Sequence, residues 1–239
     1  MASTERIRPP ADASDVTAYR AFYRQHVRPR LYFPGGHVAL HALTVLGGGG
    51  FALAHVHEVR AWQWLAVAAG PLYGSLFVYW FHRRVLHRSV AGMRFAYRKH
   101  TLQHHRFFSY EHLVPDEQSD LHAMLFPWWT GAPLLALSYG VALGLAPLLG
   151  ANVAYLTMLM MVGYFGLYEL VHTVSHLPDG HWLTRLPVLS ALRHHHRLHH
   201  DPRLMGRHNF NVVLPVFDWL FGALITQPPP LREGGKLET

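Results

Sequence analysis

The chain has 239 residues, half of them hydrophobic and only 15% charged, below the ~25% charged residues of ordinary soluble domains. This length allows one domain or two small ones, and the low charge favours a membrane protein. The absence of cysteine excludes a disulfide framework, an iron–sulfur cluster, a thiolate zinc site and a cysteine nucleophile. The net charge of +7 is sorted along the chain as membrane topology requires, so we expect no nucleic-acid partner.

The N-terminal segment, residues 1–36, is predicted to lie on the cytoplasmic side of the membrane. Its first 30 residues are polar and basic and lack the apolar core of a secretory signal. Residues 15–28 form a predicted short helix with an apolar face and with Arg20, Arg24 and Arg28 on another face. Two interpretations stay open for this helix: it lies among the lipid headgroups, or it packs on the cytoplasmic part of the protein.

Four apolar stretches are predicted to cross the membrane as helices: 38–56, 61–81, 121–146 and 151–171. A spanning helix needs roughly 20 mostly apolar residues, a length that the second and fourth stretches meet. The first contains four consecutive glycines, which lower its helix propensity. The third contains Pro127 and Pro133 and is interpreted as kinked or partly re-entrant.

The basic residues are sorted to one side of these spans. Twenty of the 21 Lys and Arg residues precede the first span, follow the second or follow the fourth, and only Arg60 falls in an opposite loop. This positive-inside pattern predicts four spans with both termini cytoplasmic. The membrane is then the plasma membrane in a bacterium and the endoplasmic reticulum in a eukaryote. The membrane domain is expected to cover residues 37–226, followed by a disordered tail at 227–239.

Histidine is unusually frequent, with 21 residues, and ten of them form clusters at or beyond the ends of the second and fourth spans. The four clusters are His82-x4-His87, His100-x3-His104-His105, His172-x3-His176 and His196-x2-His199-His200. Imidazole is the commonest protein ligand for borderline metals. Because the predicted topology puts all four clusters on the cytoplasmic side, the sequence predicts one shared metal site there.

The spacing within the clusters limits how they converge. His172 and His176 are four residues apart and share one helix face. His82 and His87 lie about 140° apart on an ideal helix, so they converge only if the helix ends or bends between them. Adjacent histidines diverge by about 100°, which lets one bind one metal and its neighbour a second. Ten ligands exceed what one ion accepts, which favours two metals with about five histidines each and a position open for dioxygen or substrate.

Other metal chemistries fit less well. The sequence has no His-Glu-x-x-His motif of a zincin protease, and a carbonic-anhydrase-like site leaves most of the clustered histidines without a role. Histidines outside the clusters, such as His41 and His122, are interpreted as polar anchors or hydrogen-bonded core residues. Glu169, three residues before His172, is interpreted as an acceptor that orients a ligand imidazole, with a purely structural role as the alternative.

In order and spacing, the clusters resemble those of the membrane-bound fatty acid hydroxylase/sterol desaturase superfamily. The resemblance continues past the last cluster, where the family has Asn-Phe-Gly and Asp-x-x-Phe-Gly. This chain has Asn209-Phe210-Asn211 and Asp218-Trp219-Leu220-Phe221-Gly222. Asn211 therefore departs from the family's glycine. His195 is an alternative first member of the last cluster, and we favour His196. The resemblance covers roughly residues 37–226.

The resemblance implies an all-α integral membrane protein of about four transmembrane helices, with a cytoplasmic helical cap that holds a non-haem di-iron centre. It implies dioxygen as co-substrate. The implied ligands are His82, His87, His100, His104, His105, His172, His176, His196, His199 and His200. Residues expected to support these ligands are Glu169, His195, Asn209 and Asp218. Purified protein can carry zinc in place of iron, because histidine sites favour zinc over ferrous iron.

Three functions stay open at this point. The leading hypothesis is an oxygen-dependent hydroxylase of a lipid, with a fatty acyl chain, a sterol or an isoprenoid as substrate. A lipid desaturase on the same scaffold is the second. The third is a membrane metal-binding protein without redox chemistry, which the position of the histidines at span ends disfavours. The N-terminal segment is too short for a fused cytochrome, so we expect a separate ferredoxin, cytochrome or reductase to donate electrons.

Overall fold

The computed structural model describes residues 15–228, which contain helices and connecting segments but no strand. Four of its helices are long and apolar enough to cross a membrane: Pro34–Ala54, Ala61–Leu86, Trp128–Leu149 and Ala151–Ser175. The shorter elements form the cap, defined here as residues 87–126 and 176–228. This architecture confirms the predicted all-α membrane fold. The predicted tail from 227 onward lies almost wholly outside the described residues.

The α-helices within the described residues are α1 (Val16–His26), α2 (Pro34–Ala54), α3 (Leu65–Phe81), α4 (Arg94–Tyr97), α5 (His105–Phe107), α6 (Leu121–Met124), α7 (Gly131–Leu149), α8 (Ala151–Ser175), α9 (Pro187–His199) and α10 (Val216–Leu220). Short 3-10 helices precede four of them, at Ala61–Trp64, Gln118–Asp120, Trp128–Thr130 and Trp182–Arg185. Two π-helices, His82–Leu86 and Arg98–His104, directly follow α3 and α4.

The third span begins later than the sequence predicts. Residues 121–126 belong to the cap, where the first four form α6. Pro127 precedes the span, and Pro133 lies in the first turn of α7, where a missing N–H breaks no helical hydrogen bond. Neither proline therefore interrupts the helix, so the reason for expecting a kink at Pro127 or Pro133 does not hold. Gly150, with a φ of 84°, alone connects α7 to α8.

The glycine run in the first span does not interrupt it. Helix α2 continues through Gly47–Gly50, and Gly48 is buried where a Cβ would meet side chains of both α7 and α8. Small residues allow helices to approach closely in a membrane, where packing replaces the hydrophobic effect as the source of association. The glycines that lower the helix propensity of α2 therefore also allow it to pack closely against α7 and α8.

Helix α8 is the centre of the membrane bundle and packs against α2, α3 and α7. Its contact with α3 is close because Gly70 and Gly74 face it: a Cβ on either would lie 2.6 Å from a side chain of α8. These two small residues, one turn apart, form the close helix contact common in membrane proteins. The contact holds the end of α3, which leads into His82, beside the end of α8, which carries His172.

Helix α1 packs on the cap. Asp15 begins the helix by accepting a hydrogen bond (2.8 Å) from a first-turn N–H. Tyr19 and Tyr23 are almost fully buried in a cluster with Phe107 and Phe108. Of the two interpretations of this segment, the structure favours the helix packed on the protein over the helix lying among headgroups.

Candidate metal centre

The ten predicted histidines lie together, in two adjacent groups of five, at the end of the bundle where α3 and α8 meet the cap. Group A is His82, His87, His100, His105 and His199; group B is His104, His172, His176, His196 and His200. Within each group, one nitrogen from every residue lies within 4.8 Å of the others. Nine of the ten are buried, and His87 is half-buried. The adjacent pairs in the sequence divide between the groups, as their angular spacing predicts.

The two π-helices bring together histidines that are five residues apart. The N–H of His87 donates to the carbonyl of His82 (3.1 Å), and the N–H of His105 donates to that of His100. Because a π-helix bonds residues i and i+5, these positions return to the same face. The Nε2 atoms are 3.2 Å apart in the first pair and 3.1 Å apart in the second. The wider π-helix, rather than a helix end, is what brings the side chains of His82 and His87 together.

Helix α9 contributes to both groups. The Nε2 atoms of His196 and His200, one turn apart, are 3.0 Å from each other in group B, whereas His199 points into group A. His195 lies outside both groups, because its Nε2 lies 3.2 Å from the carboxylate of Asp218. The preferred register of the last cluster, with His196 as its first member, agrees with this geometry.

Backbone carbonyls orient five of the imidazoles through Nδ1. The pairs are His82 with Phe210 (2.5 Å), His104 with Ala123 (3.0 Å), His176 with Leu113 (2.7 Å), His199 with His208 (2.9 Å) and His200 with Phe108 (2.6 Å). A carbonyl only accepts hydrogen bonds, so the proton resides on Nδ1 and the Nε2 lone pair is directed into the group. This is the arrangement that metal-binding histidines use.

The spacing of the nitrogens fits an ion at the centre of each group. Hydrogen-bond-range Nε2 to Nε2 distances within the groups run from 2.7 to 3.2 Å. Two ligands at right angles, each ~2.1 Å from a common ion, lie ~3.0 Å apart. The Nε2 of His172 is buried without a hydrogen-bond partner, which is costly unless an ion binds it. The all-imidazole donor sets suit iron, zinc, copper or nickel.

Burial favours the uncharged form of the clustered histidines of the cap, whose pKa values it lowers. Burial lowers the pKa of His104 to about 4, although its hydrogen bond to the Ala123 carbonyl opposes the shift. Burial, and secondarily the neighbouring imidazoles, hold the pKa of His105 and of His200 well below the usual value. Neutral imidazole is the metal-binding form, so at pH 7 these side chains bind a cation without first losing a proton.

Asp218 fixes the segment that orients His82. Its fully buried carboxylate accepts hydrogen bonds from the N–H groups of Phe210 (2.7 Å) and Asn211 (2.8 Å). The carbonyl of Phe210 is the acceptor for His82. Hydrogen bonds to a carboxylate are stronger than those between neutral groups, so Asp218 holds this carbonyl firmly. Asp218 thus acts on His82 through the backbone rather than by direct contact.

The two asparagines of the same segment also bond backbone groups. Asn209 has a φ of 56°, and its side chain joins the backbone of His195 to that of Ile225 with hydrogen bonds of 2.9 to 3.1 Å. Asn211 donates from Nδ2 to the carbonyl of Ser75 in α3 (2.8 Å). This side-chain hydrogen bond ties the cap to the second span.

Of the two interpretations of Glu169, the structure favours the structural role over the orientation of a clustered imidazole. Oε1 of Glu169 accepts from the N–H of Phe126 (3.0 Å) and lies 3.4 Å from Nδ1 of His41 on α2. Its Oε2 is buried and has no hydrogen-bond partner among residues 15–228. Neither ring nitrogen of His41 makes a hydrogen bond of good geometry within the same residues. The carboxylate faces α2 because that helix packs on this side of α8. His41, interpreted as a polar anchor or a core residue, is buried, and Glu169 is its polar neighbour.

The carbonyls that orient the ligands had no sequence signal, because any residue type supplies the same acceptor. Three of them belong to the irregular segment after α5 or to α6: Phe108, Leu113 and Ala123. Arg20 on α1, which bonds this irregular segment, was also missed. Only its place on the polar face of a short amphipathic helix pointed to it.

The fold and site define a class: a helical membrane protein with a histidine-rich site able to hold metal at one end of its bundle. A family model described as Fatty acid hydroxylase matches residues 67–223, more than half of the chain, and the chain belongs to that family. No curated protein and no solved structure matches it. The matched region contains all ten histidines and excludes α1 and α2. Membership indicates an oxygenase of the lipid hydroxylase or desaturase type.

We predict that His199→Ala and His176→Ala each remove one of two bound metal ions, because each truncates a different group. The measurement is the metal-to-protein ratio of purified protein by inductively coupled plasma mass spectrometry after dialysis against metal-free buffer. His194→Ala is the matched control, since this neighbouring side chain is exposed and belongs to neither group. Retention of two ions by either ligand variant would contradict the assignment.

Proposed function

We propose that the protein is an oxygen-dependent lipid hydroxylase that holds two iron ions, one in each histidine group. The observation that carries this proposal is the convergence of ten imidazoles, with no carboxylate among them, into two sets of five. Five ligands leave one position of a six-coordinate ion free for a small molecule. When bound, such an ion pair supplies the dioxygen chemistry that replaces a hydrogen on an unactivated carbon with a hydroxyl group.

The chain's own residues surround each site with imidazoles that have fixed orientations, carry no charge and are shielded from water. The carbonyls of the cap keep the proton on Nδ1 of five imidazoles, so that their Nε2 atoms are free to bind. Burial excludes water from nine of the ten histidines, which suppresses side reactions at an oxidising centre. Positions set by backbone atoms also vary little, which keeps the geometry of the site constant.

An apolar cavity at the start of α2 is our candidate for lipid binding. It has a volume of about 520 Å³ and is lined mainly by apolar side chains, including Leu31 and Leu40, with His37 and His122 in its wall. An apolar lining with a few polar groups is the composition of small-molecule sites, and this cavity is open to its surroundings, with Leu31 97% exposed. His122 directly precedes Ala123, whose carbonyl orients His104. One wall of the cavity is therefore continuous with the backbone that supports group B.

The basic side of the cap suits a separate, acidic electron donor. No acidic residue occurs between Glu58 and Glu111, whereas this stretch includes the exposed Arg84, Arg88 and Arg94. His87, next to Arg88, is the half-buried member of the two groups and thus the nearest to the surface. Charge complementarity accelerates such encounters. The positive-inside pattern supports a cytoplasmic location for this surface and for both termini.

We predict that cells expressing the wild-type protein contain a lipid product that is one oxygen heavier than its precursor, and that His199→Ala abolishes it. Mass spectrometry of total lipids makes the comparison, with the electron donor co-expressed and His194→Ala as the control at equal protein level. A product lighter by two hydrogens would instead identify a desaturase. Absence of any product from the metal-loaded, reduced wild type with each lipid class supplied would contradict the oxygenase proposal.

We predict that Leu40→Trp lowers product formation several-fold by filling the cavity, mainly through a higher KM for the lipid. Leu46→Trp is the matched control, because Leu46 lies on the same helix, is exposed and does not line the cavity. The metal content of both variants should equal that of the wild type. Equal kinetics for the two variants would show that the lipid binds elsewhere.

A further inference from the structure

Arg20 on α1 is a buried arginine that bonds three backbone carbonyls of the cap. Only 5% of its surface is exposed. Its Nε donates to the carbonyl of Phe107 (2.9 Å), and its Nη2 donates to those of His112 (2.8 Å) and Val114 (3.0 Å). Its Nη1 pairs with the carboxylate of Asp116 (2.6 Å). All four hydrogen-bond partners of this guanidinium belong to one stretch of the cap, residues 107–116.

The carbonyls that Arg20 bonds lie next to two of the three carbonyls that orient group B. Phe108 follows Phe107 and accepts from Nδ1 of His200 (2.6 Å). Leu113 lies between His112 and Val114 and accepts from Nδ1 of His176 (2.7 Å). Arg20 therefore fixes the backbone immediately beside each acceptor.

This stretch of chain has no regular structure of its own to hold it. After α5 ends at Phe107, no helix begins until the 3-10 turn at Gln118–Asp120. Its carbonyls consequently have no helical or strand partners and must find other donors when buried. The guanidinium, with five N–H donors in a rigid plane, meets this need from a single side chain.

Contacts with aromatic rings also connect Arg20 to group B. The Arg20 guanidinium carbon lies 5.1 Å from the ring centroid of Phe107 and 5.5 Å from that of Phe108. The Phe108 ring in turn lies 4.5 Å from the ring of His176 and 5.3 Å from that of His104, both in group B. One arginine thus reaches three members of group B, through a carbonyl, a ring or both, without touching any of them.

We propose that Arg20 is a positioning residue that sets the metal affinity of group B and not that of group A. The proposal rests on the proposed function only in that group B must hold an ion. It adds to the site a residue from α1, outside the region 67–223 that the family model matches. Loss of partners that orient metal-binding histidines typically lowers metal affinity by about 10- to 100-fold.

Arg24 is the matched control for this proposal. It lies one turn further along α1 and also joins the helix to the cap, through Asp116 and Asp120 at 2.7 to 2.9 Å. It donates to none of the carbonyls between residues 107 and 114. Changing Arg24 therefore loosens the attachment of α1 without releasing the carbonyls that orient His176 and His200.

The test is titration of metal-free, full-length protein with Co²⁺ in detergent, followed by visible absorption, for wild type, Arg20→Lys and Arg24→Lys. Lysine keeps the charge of each residue but has a single nitrogen, so it cannot reach the separate carbonyls that Nε and Nη2 of Arg20 bond. We expect two tight ions in wild type and in Arg24→Lys. In Arg20→Lys we expect one ion to bind as in wild type and the other about 10- to 100-fold more weakly.

A second comparison assigns the weakened ion and guards against a folding defect. In a His176→Ala background, where group B is already impaired, Arg20→Lys should leave the remaining ion unchanged. If Arg20→Lys yields no folded protein, Arg20→Gln replaces it. Thermal unfolding of the metal-free proteins compares the stability of all variants.

Wild-type affinity for both ions in the Arg20 variant would overturn the proposal, as would equal weakening of both ions by Arg20→Lys and Arg24→Lys. A wild type that binds fewer than two ions would instead contradict the proposed function itself.

Discussion

The constraint on which the structure depends is the placement of ten imidazoles, nine of them buried, so that each directs one nitrogen towards one of two points. Unsatisfied nitrogens are costly in a protein interior, so a hydrogen-bond partner on the side away from the site stabilises a buried ring. Backbone carbonyls provide that partner for five rings. The irregular segments of the cap, which contain most of these carbonyls, are therefore as much a part of the site as the histidines.

The helices serve the same constraint from the membrane side. The close contact of α3 with α8, at Gly70 and Gly74, places the first and third histidine clusters side by side. The π-helices after α3 and α4 then turn histidines five residues apart onto one face. Helix α9 closes the site, with His199 in one group and His200 in the other. Membrane packing, local helix geometry and the division of ligands thus form one connected arrangement.

The sequence predicted whatever depends on composition or on side-chain spacing. Hydropathy and length located the second and fourth spans, and the 100° step between adjacent residues predicted how His104 and His105 divide between the groups. Features that depend on tertiary contacts were not predictable. The carbonyls of Phe108 and Leu113 carry no residue-specific signal, and Glu169 faces α2 only because that helix packs there. The third span begins late because α6 packs in the cap. Residues 121–126 are apolar enough that hydropathy alone assigned them to the span.

The most direct test of this account is anomalous diffraction at the iron absorption edge from crystals of the iron-loaded protein. We expect two peaks, one at the centre of each group, with Nε2 of His199 close to one peak and Nε2 of His200 close to the other. The assignment of these two residues to different groups makes the result decisive, because they are adjacent in the chain. A single peak shared by both groups, or a peak outside them, would contradict the central claim.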